Sequence, residues 1–209
     1  MYSIQELIPT AEQIKNRTMR EPPQKPTPES QEKMRQVLAS FGYRNDNPEV
    51  YNAIVGFGAI VMDGTAKKGM ILSGGVGIGK TMGVQILANH FRLPVFTPKM
   101  YASMYKEFNG NGEEWERAVI SAGNISETPM HIVIDELGQK DTTKHFGEVT
   151  EVMLEVMEIR HRAFLNHGVH TLITTNLDDA GLKERYGVQI NDRLNEMCYF
   201  KAVNGKSLR

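Results

Sequence analysis

The chain carries one cysteine, Cys198, so no internal disulfide can form and a reducing compartment suits it. Cys198 falls in an expected strand and reads as a buried residue. Long hydrophobic runs are missing as well. The longest, Tyr51 to Met62, is too short to span a bilayer. Glu6 interrupts any early apolar stretch of the kind a signal peptide needs. Charge is nearly balanced, at −1 net, so no global basic field marks a nucleic-acid binder, although a local basic patch remains compatible. The histidines make no metal-ligand spacing; His161, His167 and His170 read as surface or packing residues. No internal repeat and no long low-complexity tract occurs. What is left is a soluble, cytoplasmic protein with no membrane segment. Its 209 residues form one domain, with an extension, which buries roughly 70% of its unfolded surface without staples.

Proline is sparse except in one place. Pro22, Pro23, Pro26 and Pro28 make an extended linker that no helix can cross. Before it, Ser3 to Arg20 reads as a polar, weakly amphipathic helix; after it, helix resumes from Glu29 to Phe41. This front segment has few large apolar residues. It is therefore expected to be an arm, residues 1–47, that either binds a partner or hangs loose. The core is expected at 48–209.

From Pro48 the pattern changes. Val50 to Met62 reads as an apolar helix packed on a sheet. Strands are expected at Met70–Leu72, Leu93–Thr97, Met130–Asp135, His170–Thr175 and Cys198–Val203. Helices fall between them at Lys80–Phe91, Lys99–Phe108, Gly112–Ala122, Glu148–Leu165 and Ala180–Met197, the last broken near Gly187. Val149, Met153, Val156 and Phe164 share one helical face and read as core. Asn109-Gly110-Asn111-Gly112 has hairpin-turn chemistry but no flanking strands, so it reads as a loop between helices. The alternation predicts an α/β fold, a parallel sheet between helices, with ligands at the carboxyl ends of the strands.

The richest segment is Gly74-Gly75-Val76-Gly77-Ile78-Gly79-Lys80-Thr81, which fits the phosphate-binding loop G-x-x-x-x-G-K-[ST] between a strand and a helix. Phosphate oxygens need several N–H donors in one concavity, which glycine-rich backbone supplies. The following helix adds unpaired N–H groups and its dipole. Gly75, Val76, Gly77, Ile78, Gly79, Lys80, Thr81 and Met82 are the expected nucleotide-binding residues. Lys80 would bridge the β- and γ-phosphates, and the Thr81 hydroxyl would ligate Mg²⁺.

A second signal is the apolar strand Met130-His131-Ile132-Val133-Ile134, which ends in Asp135-Glu136. Asp135 is expected beside Mg²⁺, and Glu136 is expected to polarise the attacking water. Glu136 also speaks against a small-molecule kinase, which must avoid activating water. A third is Leu172-Ile173-Thr174-Thr175-Asn176. If this strand lies between the previous two, Asn176 points at the γ-phosphate and can orient that water. Arg193 is a candidate to reach a neighbouring subunit's γ-phosphate, with Arg185 a weaker competitor. The plainer alternative pairs Arg193 with Glu196 one helical turn on.

Together these segments resemble the DnaC/IstB-type AAA+ ATPases. The resemblance rests on Gly74–Thr81, Ile134-Asp135-Glu136-Leu137-Gly138, Ile159-Arg160-His161 and Thr174-Thr175-Asn176-Leu177. It rests also on Tyr186-Gly187 with Asp192-Arg193-Leu194, and on Gly205-Lys206-Ser207-Leu208-Arg209. It covers the chain from about Val50 onward. It implies a five-stranded P-loop core in the order 5-1-4-3-2, Asn176 as sensor, Arg193 as trans-acting finger, and homo-oligomerisation on DNA or on a partner ring. Departures exist. Glu136 stands where members often carry a second Asp, and Val188-Gln189 stand where an arginine often follows the Tyr-Gly pair. No helical lid is expected after the last strand, so Arg209 is the residue left to approximate a lid arginine. No Cys/His cluster marks a zinc-bearing helicase-binding domain. Adenine preference comes from the resemblance, since the guanine-reading Asn-Lys-x-Asp is absent.

The expected function is an ATP-dependent replicative helicase loader that hydrolyses ATP with Mg²⁺, binds single-stranded DNA and contacts the replicative helicase through its arm. The alternatives are a transposition helper ATPase of the IstB type on duplex DNA and an ATP-switched scaffold with little turnover. A kinase is more remote.

Overall fold

The computed structural model describes residues 25–108, 112–123, 127–138 and 146–208, with backbone alone at 146–150. The expected helix Ser3–Arg20, the turn residues Asn109–Asn111, the Val149 side chain and Arg209 lie outside the described residues.

Every strand runs parallel, as expected where helical crossovers return the chain to the same end of a sheet. The strands are β1 (Gly69–Ser73), β2 (Val95–Phe96), β3 (Ile132–Leu137), β4 (Thr171–Thr175) and β5 (Cys198–Ala202). Their order is β2-β3-β4-β1-β5, which is the expected 5-1-4-3-2 read from the other edge.

Side chains alternate across the sheet with period two and split the core in two. Met70, Leu72, Val133 and Leu172 face α1 (Pro28–Ser40), α2 (Pro48–Met62) and α3 (Lys80–Phe91). Ile71, Ile132, Ile134 and Ile173 face the other way. There they meet Tyr101 of α4 (Pro98–Glu107), Trp115 of α5 (Gly112–Ser121), Met153 and Val156 of α6 (Phe146–His167) and Leu182 of α7 (Asp179–Met197). Cys198 is buried at the start of β5, where burial pushes its thiol up to about 12. The expected break in α7 is present: Gly187 has φ 82° and ψ 165°.

One boundary moves. Residues 28–47, expected in the arm, pack as core. Met34 and Leu38 of α1 are fully buried and join Ile54 and Leu87. The first turn of α1 is anchored by Asp63 at the end of α2. Asp63 accepts from Thr27 N–H at 2.8 Å, from Thr27 Oγ1 at 3.0 Å and from Ser30 Oγ. The Ser30 and Thr27 bonds hold its carboxyl below the ordinary aspartate range.

Arg160 of α6 is wholly buried. Its guanidinium donates to Thr171 Oγ1 at 3.1 Å and to the carbonyls of Val119, Ile120, Met130 and His170 at 3.3, 3.2, 2.9 and 3.4 Å. It thus ties the end of α5 to the starts of β3 and β4. Burial lowers its pKa to about 10, still far above neutrality.

Candidate active site

The loop from Gly74 to Gly79 joins β1 to α3 at the carboxyl end of the sheet. Its fold depends on glycine at two points. Gly77 and Gly79 have φ of 80° and 100°, conformations that a side chain would strain. Gly79 is also the residue before the first turn of α3, whose N–H groups open onto the loop. Ile78 breaks the polar pattern because its side chain is buried, packed beside Gly74 and Val203. The loop borders a cleft of about 360 Å³ whose lining includes Val76, Gly77, Gly79, Lys80, Thr81, Met82, Glu136 and Asn176.

Lys80 reaches back over the loop. Its Nζ donates to Gly74 O at 2.7 Å, Gly75 O at 2.6 Å and Asn176 Oδ1 at 2.9 Å. Burial pulls its pKa below the ordinary lysine value, and the nearby Asp135 and Glu136 offset part of that. Asn176 belongs here because β4 lies between β1 and β3, the condition under which it was expected at the γ-phosphate.

Thr81 Oγ1 donates to Asp135 Oδ1 at 3.1 Å. Asp135 is buried at the end of β3 and accepts a second hydrogen bond from Thr174 Oγ1. A hydroxyl and a carboxylate side by side are hard oxygen donors, a set that fits Mg²⁺ held by one or two protein ligands with the rest from phosphate and water. No cluster of three or more His, Cys, Asp or Glu side chains suited to a metal occurs among the described residues.

Two neighbouring acids on a regular strand point to opposite faces. Here β3 breaks its register. Ile134 pairs with Ile173 and Leu137 with Thr175, so β3 carries one extra residue at Asp135-Glu136. Glu136 takes up the bulge with φ 63°, an unusual value for a side-chain-bearing residue. Asp135 then sits at Thr81 while Glu136 lines the cleft. Thr174 holds the bulge, because its Oγ1 also accepts Glu136 N–H at 2.9 Å. Thr175 Oγ1 donates to Leu137 O at 2.7 Å and closes the same end of the strand.

Thr174 stands in the strand-end motif but has no role of its own assigned from the sequence. Its signal is a pair of hydroxyls closing an apolar strand that is buried throughout. Gln85 and Leu208 also line the cleft; Gln85 stands in no motif, and Leu208 belongs to the closing Gly205–Arg209 segment without a role assigned to it.

Arg193 stands apart. It is not among the residues lining the chain's own cleft and forms an ion pair with Glu158 of α6. Glu196, the partner that the plainer alternative gave it, meets His161 Nε2 instead, at 2.7 Å. Arg185 lies beside Gly138, just past the acidic strand end. No helix among the described residues is long and apolar enough to cross a membrane.

Solved structures share this architecture. A structure of DnaI superposes with TM-score 0.57 at 18% identity, covering 81% of this chain and 93% of that one. A putative primosome component from Streptococcus pyogenes serotype M3 gives 0.56 at 18% identity, covering 79% and 85%. A DNA replication initiation factor gives 0.55 at 13% identity, covering 78% and 48%. At these identities the likeness is one of fold. A search of curated protein sequences finds no match. The model of the ATPase family associated with various cellular activities (AAA) matches residues 70–192, a span that holds the phosphate loop, both acids, Asn176 and most of α7. The match covers more than half of the sequence, and with the DnaC/IstB-type resemblance and the parallel sheet in agreement, the chain belongs to the AAA family of ATPases.

Proposed function

We propose that the protein is an ATP-hydrolysing helicase loader of DNA replication. One observation carries the reading. Lys80, Thr81, Glu136 and Asn176, a set suited to hydrolysis, line one cleft with Asp135 bonded to Thr81 beside it, in a fold that covers nearly the whole of the DnaI structure. Two other structural neighbours, a primosome component and a DNA replication initiation factor, point the same way.

In this mechanism Lys80 exchanges the carbonyls of Gly74 and Gly75 for β- and γ-phosphate oxygens. The N–H groups of the loop and of the first turn of α3 receive the remaining charge. Thr81 and Asp135 would hold Mg²⁺, which neutralises phosphate charge when bound. The Glu136 carboxylate takes a proton from a water as that water's oxygen attacks the γ-phosphorus, and the bond to the β-phosphate oxygen breaks. Asn176, already tied to Lys80, offers its amide N–H to the same water. Arg193 completes the charge balance in a neighbour's site, leaving Glu158 to do so. ATP would hold subunits together and hydrolysis would release them, with single-stranded DNA and the helicase as the other partners.

The test is co-purification of the full chain with the replicative helicase of its host, alongside a chain beginning at Pro28. Binding by the full chain and loss in the shorter one supports a loader with a helicase-binding arm. Equal binding by both removes the arm from the account. Binding by neither favours the transposition helper.

A further inference from the structure

A phosphate loop that turns its N–H groups toward a ligand must turn carbonyls away from it, and those carbonyls need partners. Three successive ones find them outside the loop. Gly77 O accepts Leu208 N–H at 3.0 Å. Ile78 O accepts Asn47 Nδ2 at 2.9 Å. Gly79 O accepts the Tyr43 hydroxyl at 3.1 Å, alongside its helical bond from Gly83 N–H. The donors come from opposite ends of the sequence, from the lead into α2 and from the segment after β5.

Those two segments are also joined to each other. Asn47 Nδ2 donates to Lys206 O at 2.9 Å while Asn47 Oδ1 accepts Lys206 N–H at 3.0 Å. Glu49 Oε2 accepts Asn204 N–H at 2.7 Å, and Ser73 O, just before the loop, accepts Val203 N–H at 2.8 Å. Asn47 and Tyr43 are buried, and Tyr43 stacks on Tyr51 at 6.1 Å between centroids. Burial pushes the Tyr43 hydroxyl up to about 12, so it remains a donor at any physiological pH.

We propose that Tyr43, Asn47 and the segment 203–208 form a positioning collar that sets the phosphate loop in its binding shape, so that triphosphate affinity depends on the seated segment. The proposal rests on the reading of the loop as an ATP site. A loop whose outward carbonyls are pinned has less conformational freedom to lose when phosphate binds. Apart from Leu208, whose side chain lines the cleft, the collar touches the loop from outside and acts on the phosphates. A triphosphate without a base should feel it as strongly as ATP does.

The experiment measures binding of Mg-ATP and Mg-tripolyphosphate to the full chain by calorimetry, with KM and kcat for ATP. Three variants probe the collar. Tyr43→Phe removes one hydroxyl and keeps the ring stack. Asn47→Ala removes the bridging amide. Gly205→Ala is a wedge, since its Cβ would lie 2.6 Å from Asn47 Oδ1 on an exposed segment. Tyr43→Phe is expected to weaken both ligands by the same factor, about threefold to tenfold for one hydrogen bond. Asn47→Ala and Gly205→Ala should weaken both further. The loss should appear in KM rather than kcat, as for interactions shared by ground and transition states. Unchanged affinity in folded variants overturns the collar, and so does weakening of ATP alone, which would mean the segment contacts the base. If Asn47→Ala does not fold, Tyr43→Phe and Gly205→Ala decide. A wild-type chain that binds neither ligand overturns the ATP reading itself; variants that bind like a competent wild type overturn only the collar.

Discussion

Glu136, the proposed proton acceptor, also carries a local cost. Its φ of 63° is one that residues with a Cβ avoid by roughly 1–2 kcal/mol. Glu136→Gly should therefore raise the unfolding free energy by up to about 1 kcal/mol while removing the proton acceptor. Glu136→Gln keeps the side chain and should leave stability nearly unchanged. Chemical denaturation of the two variants separates these effects. Thr174→Val is the counterpart. It leaves Glu136 N–H and Asp135 without the hydroxyl they share, and stability should fall by about 1–3 kcal/mol together with turnover. Lys80 gives a pH dependence. Burial holds its pKa below that of an ordinary lysine, so its charge is lost as pH rises through that lowered value. Only the charged form attracts phosphate. ATP affinity should decline on the alkaline side sooner than for a lysine in water, and binding there should take up protons, which calorimetry in buffers of different ionisation enthalpy detects.

At the scale of elements, Arg160 is the main polar tie on the α5–α6 side of the sheet. Arg160→Met fills similar volume but strips donors from four carbonyls and Thr171, and should lower stability by about 3 kcal/mol or more. Guanidinium unfolding measures it directly. The strands, the helix after the loop and the break at Gly187 were legible in the sequence, because each rests on local periodicity or on a residue with special backbone freedom. The bulge at Asp135-Glu136 was not, since it exists only in the pairing of β3 with β4. The seating of α1 was missed because Met34 and Leu38 are two apolar residues in a polar segment, and their burial depends on α2 and α3. The contacts of Asn47 and Glu49 with Lys206 and Asn204 are distant in sequence, and no local pattern announces them.

For the whole molecule, the site contains a lysine, two acids and an asparagine, while Arg193 points to an ion pair elsewhere in the same chain. If Arg193 acts in trans, Arg193→Ala and Glu136→Gln should each be nearly inactive, yet a mixture of the two should regain activity. In mixed assemblies an intact site of the first receives the arginine of the second. A mixture as inactive as its components would place Arg193 outside the chemistry. In the proposed chemistry this cleft hydrolyses ATP with Glu136 as proton acceptor. Steady-state phosphate release by the wild-type chain and by Glu136→Gln, with ATP binding measured on both, tests it most directly. ATP should bind both, and turnover should fall by about a hundredfold or more in the variant. Equal turnover in the two proteins would contradict it.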